Sequence, residues 1–290
     1  ALGLLALALV FYRDYARRMR EAAQRVGFVT QVSHELKTPL TNIRLYAELL
    51  DDDLDGLLAA VAAGDSDDHG DSSSDEDDAI RGRTAVIIAE SQRLTRLINN
   101  ILTFSKQRRG QLDLRLERVA VRALVDQVLA QFGPALQARG IAAEIAVPDD
   151  LTVYADRDAL GQIIANLLSN VDKYAAAGGR VEIAAGRRGA RAWLRVSDRG
   201  PGIPAAHRDK IFRPFYRMSD KLADGVTGTG IGLAIARELA RRLGGELRLV
   251  ARDECGEHDA QSERDGASTS GACFELELDS ADEPGQGERS

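Results

Sequence analysis

A chain of 290 residues with 44% hydrophobic and 29% charged residues is long enough for about two domains and apolar enough to build cores, which excludes a wholly disordered protein. The formal net charge is -7, but residues 65–78 alone carry eight Asp or Glu and no Lys or Arg, so the acidity is local and defines no general affinity for acidic or basic ligands. No nucleic-acid partner is expected. The two cysteines, Cys255 and Cys273, have no metal-ligand spacing; they fit a reducing compartment or at most one incidental pair.

The chain opens on Leu2 to Tyr12, an almost continuous apolar run followed by Arg13, Arg17, Arg18 and Arg20. The run is shorter than the roughly 20 residues that span a bilayer. We read it as the end of a membrane-spanning helix whose arginines mark the cytoplasmic side; a short buried core helix is the alternative. Residues 13–27 are charged and helix-permissive, and predict a juxtamembrane helix leading into the next segment.

Counting heptads from Val29 places Val29, Val32, Leu36, Pro39, Ile43, Tyr46 and Leu50 on one seam, the pattern of a helix burying a narrow stripe against partners. His34 then falls on the opposite, solvent-facing side. With an ordinary pKa of about 6.5, an imidazole there is largely a neutral nucleophile near neutral pH, although many exposed helical histidines are only solvated. Glu35 can hydrogen-bond one ring nitrogen, and Thr38 lies one turn later, where its hydroxyl could orient a water. Pro39 should kink or loosen the helix beside His34.

This first helix is expected to reach about Ala63, and residues 64–78 read as a solvated, disordered acidic loop. A second helix places Ile80, Ile87, Leu94, Leu97, Ile101 and Phe104 on a seam and ends near Lys106 to Gly110. Two antiparallel heptad helices bury too little alone, so a second copy should complete a dimeric four-helix bundle.

From Leu112 the pattern changes to short strands and amphipathic helices. Strands are predicted at 112–119, 141–147, 151–154, 181–185, 192–196, 246–250 and 273–278. Helices are predicted at 121–138, interrupted at Gly133 and Pro134, at 156–176 with Asp156 as cap, and from about Thr229. Residues 252–270 and the tail from 280 read as flexible. The order suggests a two-layer α/β sandwich.

Three clusters in this half could hold a phosphorylated ligand. On the Asp156 helix, Asn166, Asn170, Lys173 and Tyr174 share a face, Asn carbonyls suiting a Mg²⁺ that bridges phosphates and Lys supplying positive charge, if the stripe is more than surface polarity. Asp198-Arg199-Gly200-Pro201-Gly202 puts a carboxylate at a strand end, able to accept from an exocyclic amine such as that of adenine, or it is a simple turn. Gly228-Thr229-Gly230-Ile231-Gly232-Leu233 opens a helix whose free amides favour phosphate. It is not a P-loop, because no Gly-Lys-Ser/Thr follows, and no buried parallel strand leads into it as in a dinucleotide fingerprint. Between the last two, residues 211–227 read as a lid, with Phe212 and Phe215 as apolar anchors or plain core, and Arg217 facing phosphate.

Taken in order, these boxes closely resemble those of the sensor histidine kinases of two-component systems, from about Arg20 to Leu278. The resemblance implies His34 as phosphoacceptor, Glu35 as its acid/base partner and Thr38 as the phosphatase residue. It implies Asn170, with Asn166 in support, as Mg²⁺ ligand, and Lys173, Tyr174, Asp198, Gly200, Gly202, Phe212, Phe215, Arg217, Gly228, Thr229, Gly230, Gly232 and Leu233 as nucleotide-binding. The domains implied are a dimerisation and phosphotransfer hairpin over 28–110 and a Bergerat-type ATP-binding domain over 111–279. The implied activity is ATP-dependent autophosphorylation and transfer to an aspartate of a response regulator, in a homodimer at the inner membrane, cytoplasmic from about Arg13 onward. Val171 and Asp172 depart from the pattern, Asp172 placing a negative charge near the phosphates; the acidic tract and residues 252–270 are insertions. A gyrase- or chaperone-like ATPase is the competing reading on the same fold, but it leaves the Ser33 to Leu40 box without a role. A non-catalytic dimeric membrane adaptor is the other, and it leaves the intact nucleotide set without one.

Overall fold

The computed structural model describes residues 3, 11–13, 32–33, 35–54, 72–175, 178–218, 228–251 and 271–281. The chain forms two compact units that meet between Asn99 and Asn100. Among the described residues no helix is long and apolar enough to cross a membrane. The expected membrane-helix end at residues 4–10, the juxtamembrane linker beyond 13, most of the acidic loop, the insertion at 252–270 and the tail beyond 281 lie outside the described residues, as does His34.

In the first unit a helix over 35–54 (α1) runs through Pro39 without a break. Pro39 is buried, and the other described seam residues, Val32, Leu36, Ile43, Tyr46 and Leu50, are half-buried. The second helix, α2 (Ser72–Arg108), lies antiparallel to it: Asn42 Nδ2 donates to Glu90 Oε1 at 3.1 Å, and an Arg83 guanidinium N–H donates to the Leu49 carbonyl at 3.0 Å. The helix starts earlier than the sequence reading allows, so residues 72–78 are helical rather than loop. Asp75, Glu76, Asp77 and Asp78 are consecutive acids in the opening turns, where the helix dipole favours negative charge, and composition alone mistook this for disorder.

The second unit comprises the last turns of α2 from Asn100 and a strand-helix alternation: β1 (Glu117–Ala120), α3 (Val121–Ala138), β2 (Ala142–Ala146), β3 (Thr152–Ala155), α4 (Arg157–Tyr174), β4 (Arg180–Arg188), β5 (Arg191–Asp198), α5 (Ala205–Arg208), α6 (Gly232–Arg242), β6 (Glu246–Val250) and β7 (Cys273–Asp279). Five strands form one sheet in the order β2-β4-β5-β7-β6, parallel at β2–β4 and antiparallel elsewhere. Strands β1 and β3 pair separately. The expected α/β sandwich is present, with α4 packed between α3 and α6.

The core follows from alternation. Leu194 and Val196 of β5 and Phe274, Leu276 and Leu278 of β7 are buried against the helices, where Ile163, Ile164, Leu167 and Leu168 of α4 are at most 1% exposed. Each such side chain contributes roughly 1.5–3 kcal/mol by leaving water. That burial also explains α3, which continues through Gly133 and Pro134 rather than being interrupted there: Phe132 and Leu136 flank the pair and are both buried, so tertiary packing outweighs the lost amide hydrogen bond. Residues 112–116 are not strand, and only Glu117–Ala120 finds a partner. Cys273 is disulfide-bonded; the other cysteine, Cys255, lies outside the described residues.

Candidate functional site

The helix α4 is anchored at its start by Asp156, whose Oδ1 accepts from the Ala159 N–H at 2.8 Å. Its 3.6-residue period turns one stripe into the core and another, Asn166, Ser169, Asn170, Lys173 and Tyr174, into a cavity of about 330 Å³. Opposite stands the loop that opens α6, with Gly228, Thr229, Gly230, Gly232 and Leu233 on the wall. The two sides approach closely: a Cβ at Gly228 would meet Lys173 Nζ at 3.6 Å, and one at Gly232 would meet Asn166 Oδ1 at 3.3 Å. The α6 helix starts at Gly232, three residues after the predicted start, so Gly228 to Ile231 remain outside the helix on its N-terminal side.

Asp198 ends β5 on the cavity wall. Its Oδ1 accepts from the Gly200 N–H at 2.7 Å and the Ala272 N–H at 3.3 Å, so the rotation of the carboxylate is fixed by backbone on both sides. Gly202 and Arg217 also line the cavity. Gly200 does not: a Cβ there would stand 3.0 Å from the Tyr174 carbonyl oxygen, so the residue is glycine to let the strand end pass the end of α4.

Phe212 and Phe215 do not line the cavity either. Phe212 packs edge-on against Phe274 at 6.2 Å, beneath the Arg237 guanidinium at 4.8 Å. Phe215 packs edge-on against Phe104 at 5.4 Å. Both rings pack against other aromatic rings, while their neighbours Ile211, Tyr216 and Met218 face the cavity. Residues 219–227 of the expected lid are outside the described residues.

Asp172 also departs from expectation. Its carboxylate lies 2.9 Å from Arg139 Nε and is absent from the cavity wall, because two positions beyond Asn170 is the far side of the helix. The negative charge is therefore neutralised by Arg139 rather than directed at a ligand.

Of the residues expected to act in phosphotransfer, Glu35 is 8% exposed and Thr38 is half-buried. Burial of a carboxylate on a helical hairpin fits a positioned group rather than a solvated one.

The cavity residues fit a divalent cation shared with a ligand. Asn166 is 6% exposed, and its Nδ2, like Asn170 Nδ2, is buried without a partner; these are donors, so the Asn166 oxygen, which accepts from Asn100 Nδ2, reaches a cation only when that amide turns over. Side-chain amide oxygens are hard ligands of the type Mg²⁺ accepts beside phosphates. Among the described residues no group of three or more His, Cys, Asp or Glu could hold a metal alone.

The sequence reading missed Asn100, Ser169, Ile203, Ile211, Tyr216, Met218, Ala272 and Phe274, all on the wall. Ser169 was recoverable, since it stands three residues after Asn166 on the same stripe. Phe274 on β7 and Ala272 just before it lie more than seventy residues beyond Asp198, and only the β5–β7 pairing brings them in.

Comparison with known proteins agrees with this geometry. Residues 24–110 match the His Kinase A (phospho-acceptor) domain, and residues 155–282 match the histidine kinase-, DNA gyrase B- and HSP90-like ATPase family. The chain is 31% identical over 242 residues to the sensor-like histidine kinase SenX3 of Mycolicibacterium smegmatis, covering 83% of this chain and 58% of that protein. It is 30% identical over 251 residues to the alginate biosynthesis sensor protein KinB of Pseudomonas aeruginosa, covering 86% and 38%. The chain thus spans little more than half, or less, of these curated relatives.

Among solved structures, full-length ShkA in complex with AMPPNP superposes with a TM-score of 0.52 at 27% identity, covering 70% of this chain and 39% of that one. Histidine kinase AdeS of Acinetobacter baumannii, at 23% identity and a TM-score of 0.51 over 85% of this chain and 97% of that one, shares the fold. With a phospho-acceptor hairpin and an ATPase sandwich matched in that order, the chain belongs to the sensor histidine kinases of two-component systems.

Proposed function

We propose that this chain binds ATP with Mg²⁺ in the α4–α6 cavity, phosphorylates His34, and passes the phosphoryl group to an aspartate of a response regulator. The observation that carries the reading is the convergence of Asn166, Asn170 and Lys173, the Asp198 carboxylate and the Gly228–Gly232 loop on one cavity.

In this reading Asp198 accepts from the amino group of adenine, its rotation held by Gly200 and Ala272. Lys173 and the N-terminal end of α6 face the phosphates. Asn170 and Asn166 would hold the cation, which when bound neutralises charge on the transferring group. The imidazole of His34 attacks the γ-phosphorus in line; the N–P bond forms as the bond to the β-phosphate oxygen breaks and ADP leaves. Glu35 hydrogen-bonds the other ring nitrogen, and catalysis is positioning and electrostatics. Thr38 orients a water for hydrolysis of the regulator's acyl phosphate.

The hairpin supports a homodimer. Leu40, Leu45, Ile88 and Ile98 are 60%, 49%, 52% and 43% exposed, an apolar surface that a second copy would cover. The apolar run Leu2 to Tyr12 with its following arginines supports attachment to the membrane, with the catalytic residues on the cytoplasmic side. The phospho-acceptor match over 24–110 favours this reading over a gyrase-like ATPase, which needs no such domain.

Incubation with γ-labelled ATP and Mg²⁺ tests it. Label that is labile in acid and stable in alkali is the expected result; ATP turnover to free phosphate with no labelled protein would replace the kinase by an ATPase.

A further inference from the structure

Four side chains in the second unit form one hydrogen-bonded row. Thr103 Oγ1 donates to Gln162 Oε1 at 3.1 Å, Gln162 Nε2 donates to Asn100 Oδ1 at 3.0 Å, and Asn100 Nδ2 donates to Asn166 Oδ1 at 2.9 Å. Thr103 and Asn100 lie on the last turns of α2, and Gln162 and Asn166 lie one turn apart on α4. Only Asn100 and Asn166 reach the cavity.

Every donor in the row points toward Asn166. That polarity engages the Asn166 oxygen and leaves its Nδ2 buried and unpartnered, although the residue is 6% exposed and stands on the cavity wall. A carboxamide's oxygen and nitrogen are nearly isosteric, so the same row can run the other way. Asn166 Nδ2 would then donate to Asn100 Oδ1, Asn100 Nδ2 to Gln162 Oε1, and Gln162 Nε2 to Thr103 Oγ1. The Thr103 hydroxyl both donates and accepts, so it closes the row in either sense, its proton turning to a carbonyl of its own helix. Reversal replaces an unpaired N–H by an unpaired carbonyl oxygen on the wall. The first arrangement offers a donor to an anionic ligand, and the second offers a ligand to a cation.

We infer that Thr103, Gln162 and Asn100 are positioning residues whose hydrogen-bond direction sets whether Asn166 presents its amide N–H or its carbonyl oxygen, and so sets the Mg²⁺ requirement for nucleotide binding. The inference rests on the ATP and Mg²⁺ reading of the cavity and adds to it a switch that the nucleotide-binding residues do not contain.

Gln162→Glu is the direct test, because it keeps the shape and removes the donor. A carboxylate at 162 can only accept, from Thr103 and from Asn100, which obliges Asn100 to accept from Asn166 and turns the Asn166 oxygen to the cavity. Residue 162 is off the cavity wall, so the new charge is not itself a ligand there.

The full chain, wild type and variants, is titrated with a fluorescent ATP analogue at fixed Mg²⁺ levels and in EDTA. Gln162→Glu is expected to lower the Mg²⁺ concentration for half-maximal tight binding by about tenfold, the lower end of what outer partners of metal ligands contribute, and to weaken binding in EDTA, where the Asn166 N–H no longer faces the anionic nucleotide. In an Asn100→Leu background the same substitution is expected to have no effect, since the row is cut. Wild type that binds Mg²⁺-nucleotide while Gln162→Glu shows the same Mg²⁺ midpoint would overturn the relay, as would a shift that persists without Asn100. Wild type that binds no nucleotide at either Mg²⁺ extreme would overturn the ATP reading and the relay with it.

Discussion

The backbone N–H of Phe215 donates to the carbonyl of Gly230 at 2.9 Å, and both residues sit at φ of 67°. Phe215 is the one described non-glycine residue at positive φ, a conformation that a bulky side chain adopts only when its surroundings impose it. Here the surroundings are Phe104 against its ring and Gly230 against its backbone. The segment before the cavity is thereby tied to the glycine loop of α6.

Gly230→Ala should break that tie. Its left-handed φ costs a non-glycine residue roughly 1–2 kcal/mol, and the added Cβ would stand 3.0 Å from Phe215 C and Tyr216 O. Affinity for ATP should fall about tenfold or more, read by titration with a fluorescent analogue, while the circular dichroism of the unit is kept.

Asp198→Asn keeps an oxygen for the Gly200 and Ala272 amides but removes the charge that would hold the adenine amino group. A hydrogen bond to a charged group is worth roughly 1.5–3 kcal/mol, so ATP affinity should fall about ten- to a hundredfold, and GTP affinity far less. Calorimetry with both nucleotides checks the difference.

Glu275 on β7 is 3% exposed and takes Arg195 Nε at 2.7 Å, with Arg188 and Arg248 within 3.6 Å and 3.4 Å. Removing one partner of a buried pair leaves the other uncompensated. Glu275→Ala should destabilise the second unit by about 3 kcal/mol, measured by urea denaturation.

Glu246 gives the sign of an acid effect. Burial is the largest single influence and pushes its carboxyl up, but hydrogen bonds from Arg241 and Arg237, with their charges, outweigh it and hold the group below its ordinary 4.5. A lowered folded-state value means that stability is present above the unfolded value and is lost as pH falls through the folded one. The group is half-buried and open to solvent on one side, so screening limits the contribution to under about 1 kcal/mol. Glu246→Gln should flatten the acid limb of the urea midpoint below about pH 4.5 and leave neutral pH little changed.

What was legible in the chain is what repeats at short range. The 3.6-residue period aligns Asn166, Asn170, Lys173 and Tyr174, and alternation marks β5 and β7 within a residue or two. What was not legible depends on pairing across the sheet or on a neighbouring helix. Asn100 sits among apolar seam residues with no local mark, and its meaning appears only when Asn166 stands 2.9 Å away. Gly200, Phe212 and Phe215 were found in the right segments yet support the wall from behind, a distinction between lining and buttressing that spacing cannot make. The charge of Asp172 points toward a ligand only while Arg139, thirty-three positions earlier in the chain and beside it in the fold, is left out.

The central claim is that His34 takes a phosphoryl group from ATP bound in the second unit. The most direct measurement compares wild type with His34→Gln for label retained from γ-labelled ATP and Mg²⁺, with nucleotide binding measured in parallel. The account predicts that the variant binds nucleotide as wild type does and retains no label. Equal labelling of the two proteins would contradict it.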